Sequence, residues 1–145
     1  MKPHAKNLRI GRHSAANQAY HVILTTLQRK NVFDDFSTAR SVIRVLAYAN
    51  RQEWAKNLCF VVMPDHIHWL FVLGEEKSLQ ELIRSIKRES SRHIEQLEWQ
   101  RGFYDHGIRQ EEDLKVISRY IINNPLRAGL AESIRDYSHW DAIWL

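Results

Sequence analysis

Two short apolar runs on either side of a proline constrain this chain more than any other feature. Asn57 to Met63 and His66 to Leu73 are rich in β-branched and aromatic residues, and Pro64-Asp65 stands between them. Proline fixes its own φ and has no N–H to give to a ladder, so it ends the first run. Two such runs across so short a break predict an antiparallel hairpin. Tyr20 to Leu27 has the same composition and predicts an earlier strand. Between them, Asp34 and Asp35 suit the approach to a helix N-terminus and Ser37 suits its cap. Val42, Ile43 and Leu46 fall on one face of that helix, which is expected to end near Trp54.

Gly74 closes the hairpin, and Ser78-Leu-Gln-Glu81 then matches a capping box. Leu79, Leu82, Ile83, Ile86, Ile94 and Leu97 follow helical spacing behind it. A fourth strand is expected around Gly102 to Asp105. Glu111-Glu-Asp113 opens a last helix with buried Leu114, Ile117 and Ile121, and Asn123-Asn124-Pro125 stops it. A short turn or helix is expected around Leu126 to Leu130. The order β, α, β, β, α, β, α predicts an α+β fold: a ferredoxin-like split βαββαβ antiparallel sheet with an added C-terminal helix.

The 145 residues fit one domain, 1–145, long enough to bury a core without disulfides. Cys59, the single cysteine, lies in an apolar run and is expected to be a small core residue. Residues 1–19 read as a basic arm carrying Lys2, Lys6, Arg9 and Arg12. Residues 131–145 form a tail whose apolar end, Trp140 to Leu145, is expected to dock on the body. Nothing resembles a membrane span or a signal-peptide core, so the expected location is the cytoplasm. Lys and Arg outnumber Asp and Glu by 21 to 17. That bias permits a polyanionic partner without requiring one.

Three groups of residues can carry chemistry. His66 and His68 lie two apart on a strand, so both imidazoles share a face and can approach one divalent metal. His-x-His alone is weak, and two structural histidines are the ordinary alternative. A histidine-triad hydrolase would need a third histidine where Leu70 stands, and a metallo-β-lactamase-like site would need more His and Asp than Trp69 to Leu73 supplies. Tyr120 and Asn124 lie four apart on the last helix and share a face. A tyrosine there is ordinarily a half-buried packing residue. A phenol ionises near ~10 and needs activation to attack. A nearby metal supplies it by polarising a phosphate, and the Asn124 amide oxygen suits Mg²⁺ or Mn²⁺. Finally, Arg84, Lys87, Arg88 and Arg92 form a basic helical stripe, with Trp99, Phe103 and Tyr104 following. Cations and rings together hold single-stranded nucleic acid. A solvated helix face plus core aromatics gives the same pattern.

The chain strongly resembles the REP-associated tyrosine transposases, relatives of the single-strand insertion-sequence transposases with a His-hydrophobic-His (HUH) motif. The resemblance rests on Val62-Met-Pro-Asp-His-Ile-His-Trp69, Gly102-Phe-Tyr-Asp-His-Gly-Ile-Arg109, Arg119-Tyr-Ile-Ile-Asn-Asn-Pro-Leu-Arg-Ala-Gly-Leu130 and Trp140-Asp-Ala-Ile-Trp-Leu145, in the expected order. It implies that His66 and His68 bind the metal and that Tyr120 is the nucleophile, giving a 5′-phosphotyrosine and a free 3′-OH. Asn124 stands where the wider superfamily often has a glutamine ligand. The implied substrate is a repetitive extragenic palindrome (REP) hairpin with a tetranucleotide at its stem foot. Arg9, Arg12, Arg84, Lys87, Arg88 and Arg92 are the candidates for holding it, with the protein near the nucleoid as a monomer, although a dimer stays open. A domesticated palindrome-binding protein without cleavage is the alternative, as is an RNA-binding module displaying Trp69 and Phe71 on its sheet.

Overall fold

His66–Leu73 forms the middle strand of the sheet, because it is apolar on both faces and so must be covered on both. The computed structural model describes residues 15–109 and 112–143. In chain order the elements are β1 (Ala19–Thr25), α1 (Phe36–Arg51), β2 (Ala55–Val62), β3 (His66–Leu73), α2 (Leu79–His93), β4 (Tyr104–Gly107), α3 (Leu114–Ile122), α4 (Asn124–Arg127) and β5 (Trp140–Ala142). The strands run β4-β1-β3-β2-β5, every neighbouring pair antiparallel. The first four give the ferredoxin-like order the sequence predicts, and β5 is an addition on the β2 edge.

The two faces of the sheet are covered by different elements. Ile67, Trp69, Phe71 and Leu73 of β3 point into one core with Val42 and Leu46 of α1 and Leu82, Ile83 and Ile86 of α2. Trp69 and Phe71 are completely buried there. They are core, and the idea of an exposed aromatic sheet surface for RNA falls with them. Leu70 points the other way, into a second core with Cys59, Val61, Ile121 and Ile122 beneath α3. The period of two along β3 therefore assigns the even-numbered positions to the α3 side.

Several local expectations shift. The cap of α1 is Asp35, whose carboxylate accepts the Thr38 N–H at 3.0 Å; Ser37 lies inside the helix. A carboxylate there meets the positive end of the helix dipole. The Ser78–Glu81 capping box forms as expected. α2 stops at His93, and Ile94 and Leu97 enter the core from the loop beyond it. β4 begins two residues late, after Gly102 turns the chain at φ +74°. Gly74 ends β3 where the chain passes the α1–β2 loop, so closely that a Cβ would sit 2.2 Å from the Glu53 carbonyl oxygen. Among the described residues no helix is long and apolar enough to cross a membrane.

Candidate active site

His66 and His68 occupy even positions of β3 and face the α3 side, with ring centroids 5.0 Å apart. Each has its Nδ1 engaged. His66 Nδ1 lies 2.7 Å from Asp65 Oδ1, and Arg29 Nε donates to the other carboxylate oxygen at 2.9 Å. Burial works to raise the Asp65 carboxyl, but the bonds and charges of His66 and Arg29 outweigh it and hold it below the usual range. An ionised carboxylate only accepts, so His66 Nδ1 carries a proton. His68 Nδ1 lies 3.0 Å from Nε2 of His21, a buried residue of β1. Burial, with His21, His66 and Arg127 adding to it, pushes His68 down to about 3. Burial and His106 push His21 down to about 4. Both rings are therefore neutral at pH 7, the form in which imidazole binds metals.

The imidazoles continue in a row. His21 stands opposite His106 of β4 in the register, and His106 Nε2 lies 3.2 Å from Glu112 Oε2. Tyr104 meets the His21 ring edge-on.

Tyr120 rides on α3 and is 58% exposed. Its helix is seated by buried Ser118, Ile121 and Ile122, the last two packed in one core with Cys59. Burial pushes the Cys59 thiol up to about 11, against the lowering effect of Ser118, in keeping with a core cysteine. Arg127 lies over the Tyr120 ring, its Cζ 4.0 Å from the centroid, and its Nη2 donates to the Tyr120 carbonyl. The same guanidinium is near enough to His68 to oppose its protonation. Arg127 thus connects the tyrosine helix to the imidazole strand.

Asn124 is not on the Tyr120 helix as the spacing suggested. α3 is capped at Asn123, and α4 starts afresh with Pro125 in its first turn, where the missing N–H does no harm. The Asn124 amide nitrogen donates to the Ile121 carbonyl at 2.8 Å and lies 3.5 Å from the Tyr120 carbonyl oxygen. Those carbonyls identify the nitrogen end of the amide, and only its oxygen can serve a cation. Among the described residues no three or more His, Cys, Asp or Glu gather as a metal site. Two imidazoles on one strand face, each with its Nδ1 engaged, fit a divalent cation through their Nε2 atoms. The remaining donors have to come from an amide such as Asn124, from water or from substrate.

The basic stripe lies elsewhere. Arg84, Arg88 and Arg92 are exposed on α2, in the helical layer across the sheet from the imidazoles, and Arg92 pairs with Glu89 at 3.0 Å. Lys87 Nζ donates to the carbonyls of Gln100 and Gly102 at 2.9 and 2.7 Å and so holds the loop leading to β4. Arg9 and Arg12 lie outside the described residues. Three members of the site gave no role away in the sequence. His21 stood in an ordinary strand run, while Asp65 and Arg127 sat inside recognisable motifs without an assigned task.

The family model for IS200-like transposases matches residues 14–124. A REP-associated tyrosine transposase of Escherichia coli strain K12 is 31% identical over 81 residues, which are 54% of this chain and 48% of that protein. A Haemophilus influenzae protein named for the same group is 27% identical over 100 residues, 58% of this chain and 57% of that one. The chain thus spans about half the length of these curated relatives. Among solved structures, a REP-associated tyrosine transposase bound to a REP hairpin superposes with a TM-score of 0.71 at 21% identity, covering 89% of this chain and 79% of that one.

Proposed function

The chain belongs to the family of IS200-like transposases, and from that premise we propose that it is a metal-dependent endonuclease and strand-transfer enzyme for single-stranded DNA, acting at REP hairpins. The observation that supports this reading is Arg127, whose guanidinium lies over Tyr120 and whose charge acts on His68, linking the helix of the proposed nucleophile to the strand of the proposed metal pair. A relative of the same fold bound to a REP hairpin supports the choice of substrate.

In this reading Tyr120 Oη attacks the scissile phosphorus. A phosphorus–oxygen bond to the tyrosine forms, the bond to the 3′-oxygen breaks, the phenolic proton leaves to solvent, and the departing oxygen takes up a proton. The products are a 5′-phosphotyrosine and a free 3′-OH, and attack by another 3′-OH reverses the step and joins strands. His66 and His68 would hold Mg²⁺ or Mn²⁺, with Asn124 offering its amide oxygen. When bound, such an ion polarises the phosphate. Asp65 and His21 would hold the two Nδ1 atoms and leave the Nε2 atoms to the ion, as partners of metal-binding histidines generally do. Since one chain carries both halves of the site, a monomer suffices. Arg84, Arg88 and Arg92 would hold backbone phosphates away from the cut, and Arg9 and Arg12 are further candidates for holding the DNA, near the nucleoid.

The test is cleavage of palindrome hairpins from the host's own genome in Mg²⁺ or Mn²⁺. Tyr120→Phe should abolish cutting and covalent adducts while leaving hairpin binding within about twofold, since the hydroxyl acts in the transition state and not in binding. Cutting by the Phe variant at the wild-type rate would overturn the assignment.

A further inference from the structure

The roles given to the nucleophile, the imidazoles and their supports assign no chemical task to the charged side chain of Arg127. Arg127 does more than pack. Its guanidinium lies over an exposed phenol, with Cζ 4.0 Å from the ring centroid, and it is tethered by its bond to the Tyr120 carbonyl. The backbone holds it there: buried Pro125 opens the four-residue α4, and Gly129 at φ +74° turns the chain away directly afterwards. A guanidinium carries five N–H donors in a planar fork that matches phosphate oxygens, and the carbonyl bond uses one donor group. Any phosphorus in position for attack lies about 3–3.5 Å from the tyrosine oxygen. That places its non-bridging oxygens beside the group that rests on the same ring.

The electrostatics of the site point the same way. Arg127 is a fixed cation resting against the Tyr120 ring. A scissile phosphodiester gains negative charge on its oxygens as it is attacked, and fixed cations aimed at that charge are among the largest contributions an active site makes.

We propose that Arg127 is the phosphate-gripping residue of the site, holding the non-bridging oxygens of the scissile phosphodiester on the tyrosine side, opposite the His66–His68 pair. This rests on the nuclease reading above. The alternative is a mechanical clasp, in which the stack on Tyr120 merely fastens α3 to α4.

Charge removal on the substrate separates the two. Cleavage would be compared on a hairpin with an ordinary scissile phosphate and on one bearing an uncharged methylphosphonate there, using wild type, Arg127→Gln and Arg127→Lys. On the ordinary hairpin Arg127→Gln should slow cleavage about 100-fold, with Arg127→Lys between it and wild type. On the methylphosphonate hairpin the loss should shrink to about threefold or less, because no charged oxygen is left to grip. An equal loss on both hairpins makes Arg127 a clasp and overturns the proposal. A binding comparison in the Tyr120→Phe background, where nothing is cut, gives a second readout. Arg127 should favour the charged hairpin over the neutral one by about tenfold, roughly one charge-assisted contact, and Arg127→Gln should erase that preference. A preference that survives Arg127→Gln also overturns it. Failure of wild type to cut the ordinary hairpin would defeat the nuclease reading, while the binding comparison would still decide Arg127. Thermal melting of each variant establishes that it is folded.

Discussion

A histidine serves a metal well only when its other nitrogen is held. At this site two different groups do the holding: an aspartate next in sequence for His66 and a histidine from another strand for His68. Asp65 stands next to His66 in the chain, yet nothing in the sequence assigned it this task. His21 is, in addition, distant from His68 in the chain. Nothing in the run Tyr20 to Leu27 distinguishes His21 until the β1–β3 register places Ile23 opposite His68 and so brings His21 diagonally onto the same face. His21→Ala should weaken Mn²⁺ binding by about 10- to 100-fold in a titration without DNA, the range for loss of a group supporting a metal-bound histidine. His21→Gln, which can still accept from His68 Nδ1, should recover part of it. Unaltered affinity in His21→Ala would mean that His68 keeps its orientation without this partner. Arg127 was hidden for a related reason. Its motif was legible, but its stack on Tyr120 depends on α3 ending at Asn123 and the chain doubling back through α4.

Elements were legible where a local rule fixes them. The hairpin follows from Pro64-Asp65, β3 spans the predicted His66–Leu73, and the capping box starts α2 where Ser78 and Glu81 said it would. Boundaries set by other parts of the chain were not. β4 takes its limits from pairing with Tyr20 and Ile23 of β1, which no property of its own four residues announces. Gly74 belongs to both kinds: its place as a strand end was readable, while the reason it is glycine lies in the Glu53 carbonyl against it. Gly74→Ala must push β3 away from the α1–β2 loop or bend the loop, and overpacking of this sort costs about 1–3 kcal/mol. A lowered denaturation midpoint with unchanged denaturant sensitivity is the expected result. An unshifted midpoint would show that the loop gives way freely.

At the scale of the whole molecule the split βαββαβ order was readable from the succession of patterns, and the fifth strand was not, since three residues are too few for a period. β5 is also where the chain makes long reaches. Trp140 pairs with Val61, and the Tyr137 hydroxyl donates to the Val62 carbonyl at 2.6 Å. This has a consequence for the order in which the molecule assembles. Pairing Val62 with Ile67 closes a loop of a few residues, whereas pairing Val61 with Trp140 closes most of the distance back along the chain. The difference in closure entropy is roughly 2 kcal/mol, and it favours the hairpin as the early event. Two adjacent amides record the two stages: Met63 N–H bonds across the hairpin to the His66 carbonyl, and Val62 N–H bonds outward to the His139 carbonyl. In pulse-labelled hydrogen exchange during refolding, Met63 should gain protection before Val62, and simultaneous protection would refute that order. The strand bearing the imidazole pair would then be in register while the edge beside it is still unzipped.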